Sequence, residues 1–188
     1  MHSVWRTSIR FTIVTTVLLG LGYPLLVTGV AGLLFPRKAA GSLILKDGQV
    51  IGSELLAQSF TSDKYFHPRP SAAGNGYDAT SSGGSNLGPS NKTLIDRIQG
   101  SIDKFSTEHP GKPVPIDLVT TSGSGLDPDI TPDAAYFQIP RVAKARGISE
   151  GKVRKLIEQH TTPRQLAVLG EPRVNVLDLN LDLDKLGK

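Results

Sequence analysis

The sequence predicts an α+β fold: a single N-terminal transmembrane helix followed by one α+β domain. Three observations point there. Residues 11–35 form a run of 25 residues without a charge. Beyond it, residues 39–188 balance 17 basic against 17 acidic side chains, as a water-exposed globule does. Along that second stretch, turn and cap signals separate short strand patterns from amphipathic helix patterns, with no internal repeat. The chain of 188 residues thus divides into residues 1–38, a tail with its membrane helix, and residues 39–188, one domain of ordinary size.

At 1.5 Å per residue the apolar run reaches about 37 Å, enough to cross a hydrocarbon core of about 30 Å with some tilt. A cleaved signal peptide is the rival, with Gly29-Val30-Ala31 as a loose small-x-small site, but the run is too long and continues to Phe35. A retained anchor is therefore expected. Thr15, Gly22 and Gly29, spaced by seven, fall on one helical stripe that would let another membrane helix approach. Small residues are also simply common in spanning helices. Pro24 should kink the span, unless neighbours satisfy the carbonyl it leaves free. Trp5 sits where an interfacial aromatic would. Arg6 and Arg10 face Arg37, Lys38 and Lys46 across the run, so local charge leaves the orientation tied.

Residues 43–51 read as two short strands around the Asp47-Gly48 turn, a dipeptide that supplies the positive φ angles of a tight hairpin. Residues 67–91, dominated by Pro, Ser, Gly and Asn, fit no regular element. Ser90 or Asn91 can cap a helix whose apolar face is Leu94, Ile95, Ile98, Ile102 and Phe105. A second loop at 120–130 precedes Thr131-Pro132-Asp133, a helix start with cap, N1 proline and first-turn acid. That helix should run toward Gly147, with Pro140 bending or splitting it. Ser149 opens a further helix carrying Val153, Leu156 and Ile157. Residues 172–183 alternate apolar and polar, with Val174 and Val176 on one face, and read as a closing strand.

Most chemistry is excluded. With no cysteine, thiol catalysis, disulfides and thiolate metal sites are ruled out. The P-loop pattern is absent, as is the Asp-Lys-Thr-Gly-Thr phosphorylation motif, so neither route to ATP hydrolysis is open to this chain unaided. The segment Ser82-Gly83-Gly84-Ser85-Asn86 echoes the Ser-Gly-Gly core of the ABC signature; its backbone amides could cradle a phosphate, or it is a turn needing small residues. Ser122-Gly123-Ser124-Gly125 lacks the first glycine of a nucleophile elbow. His2, His67, His109 and His160 lie far apart without ligand spacing, and Asp127-Pro128-Asp129 reads as turn and cap chemistry, so no metal is expected. Residues 141–156 pattern like a helix-turn-helix or an αα-hairpin, but a domain without net charge offers no nucleic-acid surface.

Several stretches together resemble the KdpC family, the C subunits of the Kdp potassium-transporting ATPase. They are the N-terminal span, Gly52-Ser53-Glu54-Leu55, Phe66-His67-Pro68-Arg69-Pro70-Ser71-Ala72 and the run from Gly84 through Asn91. Ser122-Gly123-Ser124-Gly125-Leu126-Asp127-Pro128, the run from Arg141 to Gly147, and Leu169-Gly170-Glu171-Pro172-Arg173-Val174-Asn175-Val176-Leu177 complete the set in family order. Two departures are Pro140 before Arg141 and Pro68 where many members carry Gly. The resemblance implies a single-pass protein of the bacterial inner membrane, N terminus cytoplasmic, with one extracytoplasmic α+β domain. It implies a non-catalytic subunit needed for assembly, with the channel-like KdpA, the P-type subunit KdpB, small KdpF and membrane lipid as partners. ATP and K+ would be handled by the complex, with no cofactor held by this chain. It also implies a catalytic-chaperone role raising the ATP affinity of KdpB, with Ser82, Gly83, Gly84, Ser85 and Asn86 as a nucleotide contact. Candidate partner contacts are Thr15, Gly22, Gly29, Arg69, Asp127 and Arg173. The alternative is an independent membrane-anchored binding domain or enzyme using Arg69, Asp78 or Asp127 on a small ligand.

Overall fold

The computed structural model describes residues 2–186; Met1, residues 187–188 and the side chain of His2 lie outside the described residues. The chain divides into two compact units, Met1–Ser53 and Glu54–Lys188.

The first unit opens with α1 (His2–Thr15), a π-helical segment (Thr16–Gly22) and α2 (Tyr23–Leu34). Together Ser3–Leu34 makes a helix long and apolar enough to cross a membrane, with none of its apolar window buried. Arg6 and Arg10 lie within the helix rather than ahead of it, so their side chains must snorkel if this end enters the bilayer. The expected disturbance at Pro24 takes a specific form. Proline has no N–H for the carbonyl four residues back and its ring crowds that carbonyl. The preceding turns widen instead, and Tyr23 N–H donates to Leu18 O in an i→i−5 bond. Each residue of a π turn advances less around the axis than in an α-helix. Seven residues from Thr15 to Gly22 therefore no longer make two turns, and the stripe is broken there. Gly22 and Gly29 still share a face across α2, with nothing within 4 Å of where a Cβ on Gly29 would stand.

After a turn of helix α3 (Pro36–Ala39), β1 (Leu43–Lys46) and β2 (Gln49–Ser53) form the expected hairpin. Asp47 and Gly48 sit at φ 52° and 78°, as a two-residue turn with two left-handed positions requires. Lys46 faces Gln49 and Leu45 faces Val50, while a bulge shifts Ile44 opposite Gly52.

The second unit is built on a short antiparallel sheet ordered β3–β5–β4, from β3 (Asp129–Ile130), β4 (Thr161–Thr162) and β5 (Arg173–Asn175). Ile130 and Thr161 both pair with Val174 on the central strand. Helices α5 (Pro132–Phe137), α6 (Ile139–Arg146), α7 (Glu150–His160) and α8 (Val176–Leu186) enclose the core. Phe66, Ile139, Val142, Ile157, Val174, Leu179 and Leu183 are its largest fully buried apolar residues save Val153. Thr131 caps α5 by accepting from Ala134 N–H, with Pro132 at its start. Pro140 splits the helix at Gln138, taking one of the first positions of α6, where its missing N–H costs nothing. Gly147 then closes α6 at φ 66°, and Val153, Leu156 and Ile157 bury α7 within the domain as one arm of an αα-hairpin.

The closing strand is a correction. It stops at Asn175, and residues 176–186 are helical. Alternation would place Leu177, Leu179, Leu181 and Leu183 on one face and Asn180 on the other. Instead Asn180 is buried and Leu181 is not, because the helix turns 176, 179, 180 and 183 inward. Asn175 helps start it by accepting from Asp178 N–H.

Helix α4 (Lys92–Glu108) is capped by Asn91, which accepts from Thr93 N–H. None of its residues is fully buried; Phe105 packs edge-on against Phe137 with ring centres 5.9 Å apart.

Candidate functional site

Within the second unit, loops 67–91 and 120–130 pack on one another. The first begins where side chains stand in for sheet hydrogen bonds. Asn180 accepts from Phe66 N–H at 2.8 Å and donates to Phe66 O at 2.9 Å. Gln138 does the same to His67, at 2.8 and 3.1 Å. The extended chain at 66–67 is thus gripped by two buried amides, each using both donor and acceptor. Arg141 fixes Gln138 from behind, donating to its Oε1 at 2.7 Å and to Asp63 O at 2.9 Å.

Further along, Ser71 ties the loops together. Its hydroxyl donates to Gly125 O at 2.6 Å while accepting from Ala73 and Tyr77 N–H at 3.1 and 2.8 Å. Tyr77 donates its hydroxyl back to Arg69 O, and burial pushes its pKa up. The Ser-Gly segment lies against the second loop: Gly83 N–H and the Ser82 hydroxyl both donate to Ser124 O, at 2.8 and 3.0 Å. A Cβ on Gly84 would stand 3.1 Å from Gly123 O. Asn86 holds a left-handed φ of 51°. Ser122 is buried, and Ser124 Oγ accepts from Leu126 N–H.

Arg69 stretches across this contact to Asp127 (3.2 Å), Thr120 Oγ1 and Thr121 O (both 3.3 Å). Its Nε is buried without a hydrogen-bond partner. Asp127 uses its other oxygen on Asp129 N–H. Asp129 in turn pairs with Arg173 at 3.0 Å across β3 and β5. Burial pushes the Asp129 carboxyl up, opposed by the Arg173 guanidinium and reinforced by Asp127. The candidate contacts Arg69, Asp127 and Arg173 are therefore brought into one charged seam, each with an intramolecular partner. Asp78 is separate: it binds Thr80 N–H and hydroxyl, which hold its pKa low. No group of three or more His, Cys, Asp or Glu among the described residues could hold a metal ion.

The amide clamps escaped the sequence reading because Asn180 and Gln138 lie 114 and 71 positions from the residues they grip. Ser71 carried a weak signal, a hydroxyl after proline suited to turn bonds. Also unforeseen is a cleft of about 590 Å³ lined by Asp63, Glu108, His109, Pro140, Arg141, Lys144 and Ala145.

Burial first, then the Arg141 guanidinium, lowers the pKa of His67. Burial, then Lys112, lowers that of His109. A histidine with a folded pKa below its unfolded value, near 6.5, binds fewer protons folded than unfolded in acid. Its stabilising contribution is therefore present above that value and drains as pH falls through the folded one. We expect the Tm to drop between pH 7 and pH 5, with a smaller drop in His67→Gln; equal drops would dissociate His67 from acid sensitivity.

Comparison with known proteins adds a family match. The family described as K+-transporting ATPase, c chain, matches residues 5–185. A potassium-transporting ATPase KdpC subunit from Acidobacterium capsulatum is 59% identical over 182 residues, covering 96% of this chain and 97% of that protein. Its counterpart from Koribacter versatilis is 57% identical over 178 residues, covering 95% and 92%. One from Rhodopseudomonas palustris is 56% identical over 191 residues, covering 95% and 96%.

Proposed function

Because the chain belongs to the KdpC family of K+-transporting ATPase c chains, we propose that its paired loops act as a rigid docking element rather than a nucleotide site. The chain is an accessory subunit of the Kdp potassium import complex. In this reading it catalyses nothing itself. KdpB hydrolyses ATP, KdpA passes the ion, and KdpF completes the membrane part. The N terminus faces the cytoplasm of a bacterial inner membrane, and the domain stands outside over the ion entrance while the helix braces KdpA. Any chaperone effect on the ATP affinity of KdpB then travels as coupling free energy through the complex, since a domain outside the membrane does not meet cytoplasmic ATP.

One observation carries the choice. A phosphate cradle needs outward-pointing backbone N–H groups. Here Gly83 N–H and the Ser82 hydroxyl are both spent on Ser124 O. Arg69, the nearest guanidinium in the loop pair, is spent on Asp127 and the 120–121 backbone.

The test is photolabelling of the purified complex with azido-ATP, followed by peptide mapping. Label is expected on the P-type subunit and none on the peptide containing Ser82 through Asn86. Displaceable label on that peptide would overturn the reading.

A further inference from the structure

Between β4 and β5 the chain makes a small projecting hairpin. Gln165 and Leu169 exchange two backbone hydrogen bonds at 2.9 Å, Ala167 N–H donates to Arg164 O, and Val168 N–H donates to Gln165 O. An Arg164–Glu171 ion pair closes the base. At the tip stand Leu166, Val168 and Leu169, which are 85%, 72% and 56% exposed. Leu166 and Ala167 are in the left-handed region, at φ 51° and 63°. Side-chain-bearing residues enter that region at a cost, and two in succession are held there only by the closing bonds on either side. A turn whose sole task was reversal would take Asn or Gly at such positions. This one presents a leucine and a valine to water on a stiff support.

We infer that this tip inserts into an apolar recess on the water-exposed face of another subunit of the ATPase. The inference rests on the assembly reading above, and three considerations choose that occupant. Three side chains fall far short of the roughly 1,200 Å² that a specific interface between freely diffusing proteins buries. A second copy held by the tip alone is thereby disfavoured. A partner already tethered alongside in the membrane needs no such area, because the second contact is then intramolecular in effect. A lipid surface would call for aromatic residues or an excess of Lys and Arg around the tip. The base instead carries one Arg and one Glu, which neutralise each other.

The experiment uses the full-length chain, co-produced with the other subunits, with benzoylphenylalanine replacing Leu166 or, separately, Val168. A matched probe replaces Lys155, exposed on α7. After irradiation, adducts with a polytopic subunit are expected from 166 and 168 but not from 155. They should vanish when the unprobed position of the pair is changed by Leu166→Asn or Val168→Asn, of which the former suits the left-handed backbone. Adducts only with lipid, only with a second copy, or none in a complex that still co-purifies would overturn the docking and leave the assembly reading standing. Failure of the other subunits to co-purify with the unmodified chain would sink both.

Discussion

Asn180→Ala should lower the stability of the second unit by about 3 kcal/mol or more, the sum of two backbone groups losing their partners at about 1–3 kcal/mol each. Asn180 is 1% exposed and Phe66 fully buried, so Phe66 N–H and O lose their partner in the interior of the domain. The vacated amide volume adds a cavity term. For a domain of this size, a loss of that order moves the Tm by roughly 10 °C. Thermal unfolding of the full-length protein in mild detergent reads it directly. Asn180→Asp is the informative companion: it keeps an acceptor for Phe66 N–H, removes the donor to Phe66 O, and buries a carboxyl. It should therefore also be destabilised, and more so at pH 8 than at pH 5, because the carboxylate form is the one burial penalises. A Tm within 2 °C of wild type for Asn180→Ala would mean the clamp contributes nothing net.

Those amides mark the boundary of what could be read from the amino-acid sequence. Local signals were legible because the physics behind them is local. Asp47-Gly48 supplied its own positive φ angles, Asn91 and Thr131 capped the helices that follow them, and Gly147 ended α6. Pro140 announced a break, which fell at Gln138. Where two periodicities overlap, alternation alone points to the wrong element. Leucines at 177, 179, 181 and 183 satisfy a strand, yet 176, 179, 180 and 183 also satisfy a helix, and burial of Asn180 decides between them. In the membrane helix, residue spacing presumed α geometry and could not anticipate the π turn that Pro24 induces, so Thr15 leaves the face shared by Gly22 and Gly29. The loop seam was half legible. Arg69, Asp127 and Arg173 stood out as charged residues beside prolines, while their pairing needs contacts across 58 and 44 positions that spacing does not encode.

The seam also supplies the second large effect, at Gly125. Its φ of 67° by itself makes alanine cost about 1 kcal/mol. Contact decides the rest. A Cβ there would stand 2.6 Å from Gly83 O and 2.7 Å from Ala73 N, both backbone atoms that cannot swing aside. Gly125→Ala must therefore push apart the two loops that Ser71 and Ser124 hold together, losing the Ser71–Gly125 and Gly83–Ser124 hydrogen bonds as it does so. With backbone strain included, a loss of about 3–4 kcal/mol is expected, each hydrogen bond accounting for about 1. Gly147→Ala is the matched control, since its φ is 66° and nothing lies within 4 Å of the added methyl; only the conformational cost of about 1 kcal/mol should appear. The two variants share a backbone strain and differ in the loop contact, so their difference isolates the seam. If the paired loops face another subunit, Gly125→Ala should also reduce co-purification of the complex at temperatures where the domain is still folded, whereas Gly147→Ala should not. Equal Tm values for the two variants would show that the loops separate without cost and cannot serve as a rigid docking element.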